Sequence, residues 1–280
     1  MKKHLFLLMI LLFSQMVFAY PKQKPFPPFR IIGNLYYVGT DDLASYLIVT
    51  PKGNILINSN LETDVPMLKS NIEKLGFRFT DTKILLVSHA HQDHVEGSQK
   101  IKKLTHAKYM VMAPDVLNIE SGGRDDFQYG DDKKLRYPKS TVDKVLHDGD
   151  EIELGGMSLK AHLTPGHTKG NTTWSMIVTH NNEPFYVVIV GSVNVNPGYQ
   201  LVNNKKYPNI ANDFKKSFAK LKSLTCDIFL GSHASQFDLQ KKYQLMQQGN
   251  EYSFVDLKGY QDHIALKERE FYSILKQQGS

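Results

Sequence analysis

The chain has 280 residues, of which 41% are hydrophobic and 22% are charged, and its formal net charge is +6. This ordinary globular composition suits one large domain or two small ones and excludes a low-complexity chain. The basic residues form no stripe of lysine and arginine interleaved with aromatic residues, so nucleic acid is not an expected partner.

The first element in chain order has the composition of a secretory signal. Lys2 and Lys3 precede a short apolar run, and Val17-Phe-Ala19 then offers the small residues of a cleavage site. The run is shorter than the ~20 apolar residues that a membrane-spanning helix needs. We therefore predict a signal peptide at 1–19 and a domain at 20–280, exported to the periplasm and free of the membrane after cleavage.

The first half of the mature chain mixes strands and helices. Strands are predicted from β-branched and aromatic runs at 30–38, 44–49, 54–57, 83–87 and 108–112. Helices are predicted at 64–75, 95–104 and 114–121. The segment 122–140 is rich in Gly, Asp, Lys and Pro, which predicts a mobile surface loop.

The second half repeats this arrangement. Strands are predicted at 151–154, 158–163, 172–178, 185–190 and 227–230, and helices at 208–221 and 253–277. No linker separates the halves, so we predict one α/β domain in which two sheets pack together with helices outside, an αββα four-layer sandwich. The single cysteine, Cys226, excludes an internal disulfide and is predicted to be a core residue.

Three histidines and an aspartate follow the predicted strand at 83–87: His89, His91, Asp93 and His94. This spacing lets their side chains converge in the turn between a strand and a helix. Imidazole nitrogens and a carboxylate suit a zinc ion. One short cluster cannot surround a metal alone, so further histidines are expected in loops after later strands.

Two histidines meet that expectation. His167 lies in Leu163-Thr-Pro-Gly-His-Thr-Lys-Gly170, and His233 lies in Leu230-Gly-Ser-His-Ala234, each after an apolar strand. The nearest rival is His162, but it lies inside the strand that leads to the His167 loop. The remaining histidines lack such settings and are predicted to be ordinary surface or core residues.

This ordered set, His-X-His-X-Asp-His followed by Pro-Gly-His-Thr and a later histidine, resembles the metallo-β-lactamase superfamily. The similarity extends from about residue 25 to beyond residue 238. Within it, the stretches 39–43, 122–126, 197–200 and 232–238 resemble the third subclass of class B β-lactamases, and most of all the GOB-type enzymes.

The resemblance implies two zinc ions per chain, the first held by His89, His91 and His167 and the second by Asp93, His94 and His233. It also implies hydrolysis of the β-lactam ring of penicillins, cephalosporins and carbapenems by a zinc-bound hydroxide, giving antibiotic resistance. Asp93 would be the catalytic residue that orients the hydroxide. The expected partner is this small-molecule substrate, and the expected state is a monomer.

The resemblance also implies a substrate site. Ser192 and Asn194 would bind the substrate carboxylate, while Tyr36, Tyr129 and Leu135 would give apolar contact to its side groups.

Two alternatives remain. One is another dizinc hydrolase of the same fold, such as a lactonase or thioesterase. Many of these carry a bridging aspartate where this chain has Ser192, which disfavours that reading. The other is a zinc-binding protein without catalysis. Two complete ligand sets, including Asp93, disfavour it, because a structural site needs no open coordination position.

Overall fold

The structure is a computed structural model that describes residues 23–279, so the predicted signal peptide lies outside the described residues. The first half of the chain builds a seven-stranded sheet in which the strands follow one another in chain order. Its strands are β1 (Phe29–Ile32), β2 (Leu35–Tyr37), β3 (Tyr46–Thr50), β4 (Gly53–Ile57), β5 (Thr82–Leu86), β6 (Lys108–Met112) and β7 (Lys144–Leu146). Pairing is antiparallel from β1 to β4 and parallel from β4 to β7.

The second half builds a five-stranded sheet in the order β12-β11-β10-β9-β8. Its strands are β8 (Glu151–Leu154), β9 (Met157–Leu163), β10 (Thr172–His180), β11 (Glu183–Val190) and β12 (Ile228–Gly231). The α-helices are α1 (Val65–Lys74), α2 (Gln92–Val95), α3 (Ser98–Thr105), α4 (Val116–Ser121), α5 (Ile210–Ser223), α6 (Leu239–Gln247) and α7 (Leu257–Gly279).

Strand β5 shows why its sequence is a continuous apolar run. Successive side chains point to opposite faces of a sheet, so Ile84 and Leu86 share a core with Trp174 of the second sheet. Leu85 instead packs with Leu68 of helix α1. A strand buried on both faces reads as uninterrupted hydrophobic sequence. The predicted αββα sandwich is therefore confirmed.

Two predicted elements are each divided in the structure. The predicted strand at 30–38 is the hairpin β1–β2, because Gly33 adopts a positive φ of 47° and forms the turn with Asn34. The predicted helix at 95–104 is interrupted near its start, because Val95 ends α2 (Gln92–Val95) and α3 begins only at Ser98. At the junction a Cβ on Gly97 would lie 2.6 Å from the carbonyl oxygen of Ser59, so only glycine permits this close approach.

Helices α5 and α7 pack together against the second sheet, where their buried side chains share a core with strand β12. Among residues 23–279 no helix combines the length and the apolar character needed to cross a membrane. Cys226 is buried, as predicted.

The packing of α7 on α5 gives a stability prediction. The ring of Phe271 is fully buried, with its centroid 5.4 Å from that of Phe214 and 5.7 Å from that of Phe218. Phe271→Ala should lower the free energy of unfolding by about 3–5 kcal/mol, measured by urea denaturation, because it leaves a cavity. The adjacent Tyr272 is 47% exposed, so Tyr272→Ala is the matched control with a much smaller loss. Equal losses would contradict this packing.

Candidate metal centre

The predicted ligands lie in loops at one edge of the two sheets. His89 and His91 follow β5, and Asp93 and His94 lie on the short helix α2. His167 lies in the loop between β9 and β10 of the second sheet. The last predicted ligand, His233, follows β12 and forms an isolated bridge with Leu43 of the first half.

These side chains form two overlapping groups. The ligand atoms of His89, His91 and His167 all lie within 4.8 Å of one another, and so do those of His89, Asp93 and His94. All five residues are buried. His233 joins the second group, since its Nε2 lies 3.6 Å from Oδ2 of Asp93. The structure thus brings together all six residues that the sequence analysis proposed as ligands.

His94 shows that the groups fit a metal ion. Its ring is fully buried, and neither ring nitrogen has a hydrogen-bond partner among residues 23–279. Burial, with a smaller contribution from His233, lowers the pKa of His94 to about 4, so the ring is neutral at pH 7. A neutral imidazole is the form that binds metal, and an ion would satisfy the unpaired nitrogen that faces Asp93.

Hydrogen bonds orient two of the rings toward the first group. Nδ1 of His167 donates to the carbonyl oxygen of Asn194 at 2.8 Å. Nδ1 of His89 lies 3.1 Å from Oγ of Ser88. Both contacts leave Nε2 free for the metal, as outer partners of metal-binding histidines commonly do.

The ring of His91 has the opposite orientation to those of His89 and His167. Its Nε2 lies 3.6 Å from Oδ2 of Asp126, which leaves Nδ1 for the metal. Oδ1 of Asp126 accepts from the backbone N–H groups of Gln128 and Tyr129 at 2.8 and 2.6 Å. Asp126 and Phe127 are buried, so this part of the predicted surface loop at 122–140 is anchored against the metal centre.

His233 has a carboxylate partner of its own. Its Nδ1 lies 3.3 Å from Oδ1 of Asp42. The hydrogen bond to His233 is the largest of the effects that lower the pKa of Asp42, so this carboxyl is ionised at pH 7. Asp42 therefore fixes the ring so that Nε2 faces Asp93.

Loss of this partner should weaken metal binding. We expect Asp42→Ala to lower zinc affinity by about 10–100-fold, as outer-shell substitutions typically do. The affinity is measured on metal-free protein in competition with a chromophoric chelator. The neighbouring Asp41 contacts the backbone N–H of Lys24 instead, so Asp41→Ala is the control. An Asp42→Ala variant with wild-type affinity would show that the His233 contact has no role.

Three of the predicted substrate residues lie at this edge. The ring of Tyr129 packs on that of His91, with centroids 5.3 Å apart, and its hydroxyl accepts from Nδ2 of Asn196 at 3.1 Å. The backbone carbonyl oxygen of Asn194 accepts a hydrogen bond from His167. The side-chain Oδ1 of Asn194 is buried and has no hydrogen-bond partner among the described residues. Oγ of Ser192 lies 3.5 Å from the backbone nitrogen of Asn194.

The other two predicted substrate residues are not brought to the metal ligands. Tyr36 pairs with Leu47 on the helix-covered face of the first sheet and packs on Phe77, with ring centroids 5.1 Å apart. Strand alternation places Tyr37 in the other core. A contact between Tyr36 and substrate stays a prediction. Leu135 is half-buried at the end of the short 3-10 helix Lys133–Leu135. Its contact with substrate stays a prediction.

The partners that hold the ligands in place were not predicted from the sequence. Besides Asp42 and Asp126, these include Tyr199, whose hydroxyl donates to the carbonyl oxygen of His167 at 2.8 Å. All three lie in stretches that resemble the third subclass, at 39–43, 122–126 and 197–200. The resemblance to the third subclass identified these stretches, but it did not show which of their side chains contacts a ligand.

Comparisons with known proteins agree with this arrangement. A sequence profile of the metallo-β-lactamase superfamily matches residues 39–176. The structure of native FEZ-1 metallo-β-lactamase from Legionella gormanii is 60% identical and superimposes with a TM-score of 0.92. The match covers 93% of this chain and 100% of that chain. The chain belongs to the metallo-β-lactamases.

Further structures place this metallo-β-lactamase in the predicted third subclass. BJP-1 of Bradyrhizobium japonicum, a subclass B3 enzyme, is 35% identical, with a TM-score of 0.85, and the match covers 92% of this chain and 96% of that one. GOB-18 from Elizabethkingia meningoseptica is 40% identical, with a TM-score of 0.87 and the same coverage of 92% and 96%. The predicted resemblance to the subclass is confirmed, and FEZ-1 is more similar than GOB-18.

A curated relative gives a shorter match. The hydroxyacylglutathione hydrolase of Rhodopseudomonas palustris (strain BisB5) is 28% identical over 127 residues. This match covers 45% of the present chain and 40% of the relative, so the matched part spans less than half the length of that hydrolase.

Proposed function

We propose that the protein is a β-lactamase that uses two zinc ions to hydrolyse the β-lactam ring of penicillins, cephalosporins and carbapenems, and so gives antibiotic resistance. The observation that carries the proposal is the pair of ligand groups that share His89. They occur in a chain 60% identical to the FEZ-1 metallo-β-lactamase over that enzyme's whole length.

The composition of the groups supports zinc as the metal. Five imidazoles and one carboxylate form a nitrogen-rich set that suits zinc better than magnesium or calcium, which prefer oxygen ligands. His89, His91 and His167 would hold one ion, and Asp93, His94 and His233 the other. When bound, zinc polarises a carbonyl and lowers the pKa of a bound water to about 7.

Asp93 would guide the proton in the reaction. Burial raises its pKa, but the neighbouring His94, His233 and His91 outweigh burial and hold the pKa below its usual value. The ionised carboxylate can accept a hydrogen bond from the attacking water and orient it. Water oxygen adds to the β-lactam carbonyl carbon, the ring C–N bond breaks, and the ring nitrogen gains a proton.

The surroundings of the ligands support a substrate site open to solvent. The side chain of His233 is 25% exposed, so the centre can be reached from outside. The side-chain amide of Asn194 and the hydroxyl of Ser192 would bind the substrate carboxylate, and the ring of Tyr129 would contact an apolar side group. Leu135 remains part of this proposal as a more distant contact.

The proposal includes the setting of the enzyme. The lysines and apolar run at the N-terminus support export to the periplasm, where the mature enzyme would act as a monomer. The scattered basic charge supports a small-molecule substrate over nucleic acid.

A substrate panel tests the proposed activity. The full mature chain is loaded with zinc and assayed against a penicillin, a cephalosporin, a carbapenem, an acylglutathione thioester and a lactone. We expect hydrolysis of the β-lactams that stops with a chelator and returns when zinc is added.

Other outcomes would select the alternatives. Hydrolysis of the thioester or lactone alone would favour another hydrolase of this fold, which the partial match to hydroxyacylglutathione hydrolases supports as the second candidate. Zinc binding without hydrolysis of any of the five substrates would indicate a binding protein.

A further inference from the structure

The peptide groups of Ala90, between the ligands His89 and His91, are held from both sides. The N–H of Ala90 donates to Oδ2 of Asp115 at 2.9 Å. Its carbonyl oxygen accepts from Nδ2 of Asn118 and from the hydroxyl of Tyr137, each at 3.0 Å. Ala90 therefore anchors the two ligands beside it.

The same Asp115 also holds the loop that carries His167. Its Oδ2 accepts from Oγ1 of Thr168, and its Oδ1 accepts from the N–H of Gly170, both at 2.7 Å. A Cβ on Gly170 would lie 2.6 Å from the backbone nitrogen of Asp115, so glycine permits this approach. Asp115 is 3% exposed, and its three hydrogen bonds join two loops more than 70 residues apart in sequence, as Ala90 and Thr168 show.

We propose that Asp115 is a positioning residue that sets the spacing between His89, His91 and His167 and thereby determines how tightly this group binds its metal ion. The inference rests on the metal binding in the proposed function. Asp115 acts through the backbone on either side and is not itself a ligand. Residues that hold metal ligands in place affect metal affinity without touching the ion, so loss of this link should lower the affinity.

The second group is held by other contacts. The backbone carbonyl of His94 accepts from the N–H and the Oγ of Ser59 at 3.0 and 3.1 Å. The N–H of Ala234, next to His233, donates to the carbonyl oxygen of Asp42 at 2.7 Å. Because neither contact involves Asp115, its loss should weaken the first group selectively.

The test measures each group separately. Asp115→Asn is made in a His233→Ala background, which leaves the first group intact, and in a His167→Ala background, which leaves Asp93 and His94 with His233. Asparagine keeps the shape, but its amide nitrogen is a donor. In one orientation this nitrogen faces the N–H of Gly170, and in the other it faces the N–H of Ala90 and the hydroxyl of Thr168, so at least one of the three hydrogen bonds is lost. Zinc affinity of the metal-free full chain is measured in competition with a chromophoric chelator.

We expect Asp115→Asn to lower zinc affinity by about 10–100-fold in the His233→Ala background. In the His167→Ala background the change should stay within about twofold. The control is Asp143→Asn, because Oδ2 of Asp143 also accepts from a strand N–H, that of Tyr109 at 2.8 Å, away from the ligand loops. This control should leave both affinities unchanged.

Further measurements keep the proposal decidable. Urea unfolding of the metal-free variants shows whether each is folded, and Thr168→Val removes only one of the three hydrogen bonds. Thr168→Val should lower zinc affinity by about fivefold in the His233→Ala background and leave it unchanged in the His167→Ala background. If Asp115→Asn does not fold, the Thr168→Val result decides the question. Equal losses in both backgrounds, or no loss in the first, would overturn the proposal. Absence of zinc binding by the wild-type chain would instead overturn the proposed metal centre.

Discussion

Asp93→Asn is expected to lower kcat/KM for a β-lactam by about 10³-fold, within the range typical of a lost proton-transfer residue. This corresponds to about 4 kcal/mol of transition-state stabilisation. Oδ2 of Asp93 lies 3.4 Å from Nε2 of His94 and 3.6 Å from Nε2 of His233. Asparagine keeps the size of the side chain but removes its charge and replaces one acceptor oxygen with a donor.

The preceding residue provides a matched control. Gln92 lies on the same short helix, but its amide donates to Oε1 of Glu96 at 2.8 Å. Gln92→Ala should keep kcat/KM within about twofold of the wild type. An Asp93→Asn variant that retained more than a tenth of wild-type activity would remove Asp93 from the proposed reaction.

Zinc should raise the thermal stability of the protein as strongly as a large core mutation lowers it. Free zinc at about 1,000 times its Kd stabilises the folded state by about 4 kcal/mol for each ion bound. For a chain of this size the Tm should rise by at least about 8 °C over that of the metal-free protein, measured by differential scanning calorimetry. The physical reason is that a bound ion satisfies buried imidazole nitrogens such as those of His94.

Magnesium is the control for this effect. It prefers oxygen ligands and should leave the Tm unchanged, because most of the ligand atoms here are imidazole nitrogens. A zinc-independent Tm would show that these side chains hold no metal in the folded protein. This measurement does not depend on any choice of substrate.

The layered fold could be predicted because burial leaves a strong trace in sequence. The apolar run of β5 and the helical spacing of α1 each gave an element close to its observed position. Helix α6 was missed, because its sequence LQKKYQLMQ is mostly polar and only Leu239 and Lys242 are buried. The division of 30–38 into two strands depends on the backbone of Gly33, which apolar periodicity does not report.

The ligands could be predicted because histidine is uncommon and its placement after strands is distinctive. Their partners could not, because Asp42, Asp115 and Asp126 are ordinary acidic residues until the fold brings them to the ligand loops. Asp115 gave no local signal, since it acts on loops that only the folded chain brings together. The substrate role of Tyr36 comes from the resemblance alone, and the structure adds only its ring contact with Phe77.

A zinc titration with simultaneous measurement of turnover tests the central claim most directly. Metal-free mature protein receives zinc in steps, and bound zinc per chain and the rate of carbapenem hydrolysis are measured in the same sample. We predict no hydrolysis without zinc, and activity that rises with zinc binding and reaches its maximum at two ions per chain. Hydrolysis by the metal-free protein, or two bound ions without hydrolysis of any β-lactam, would contradict the account.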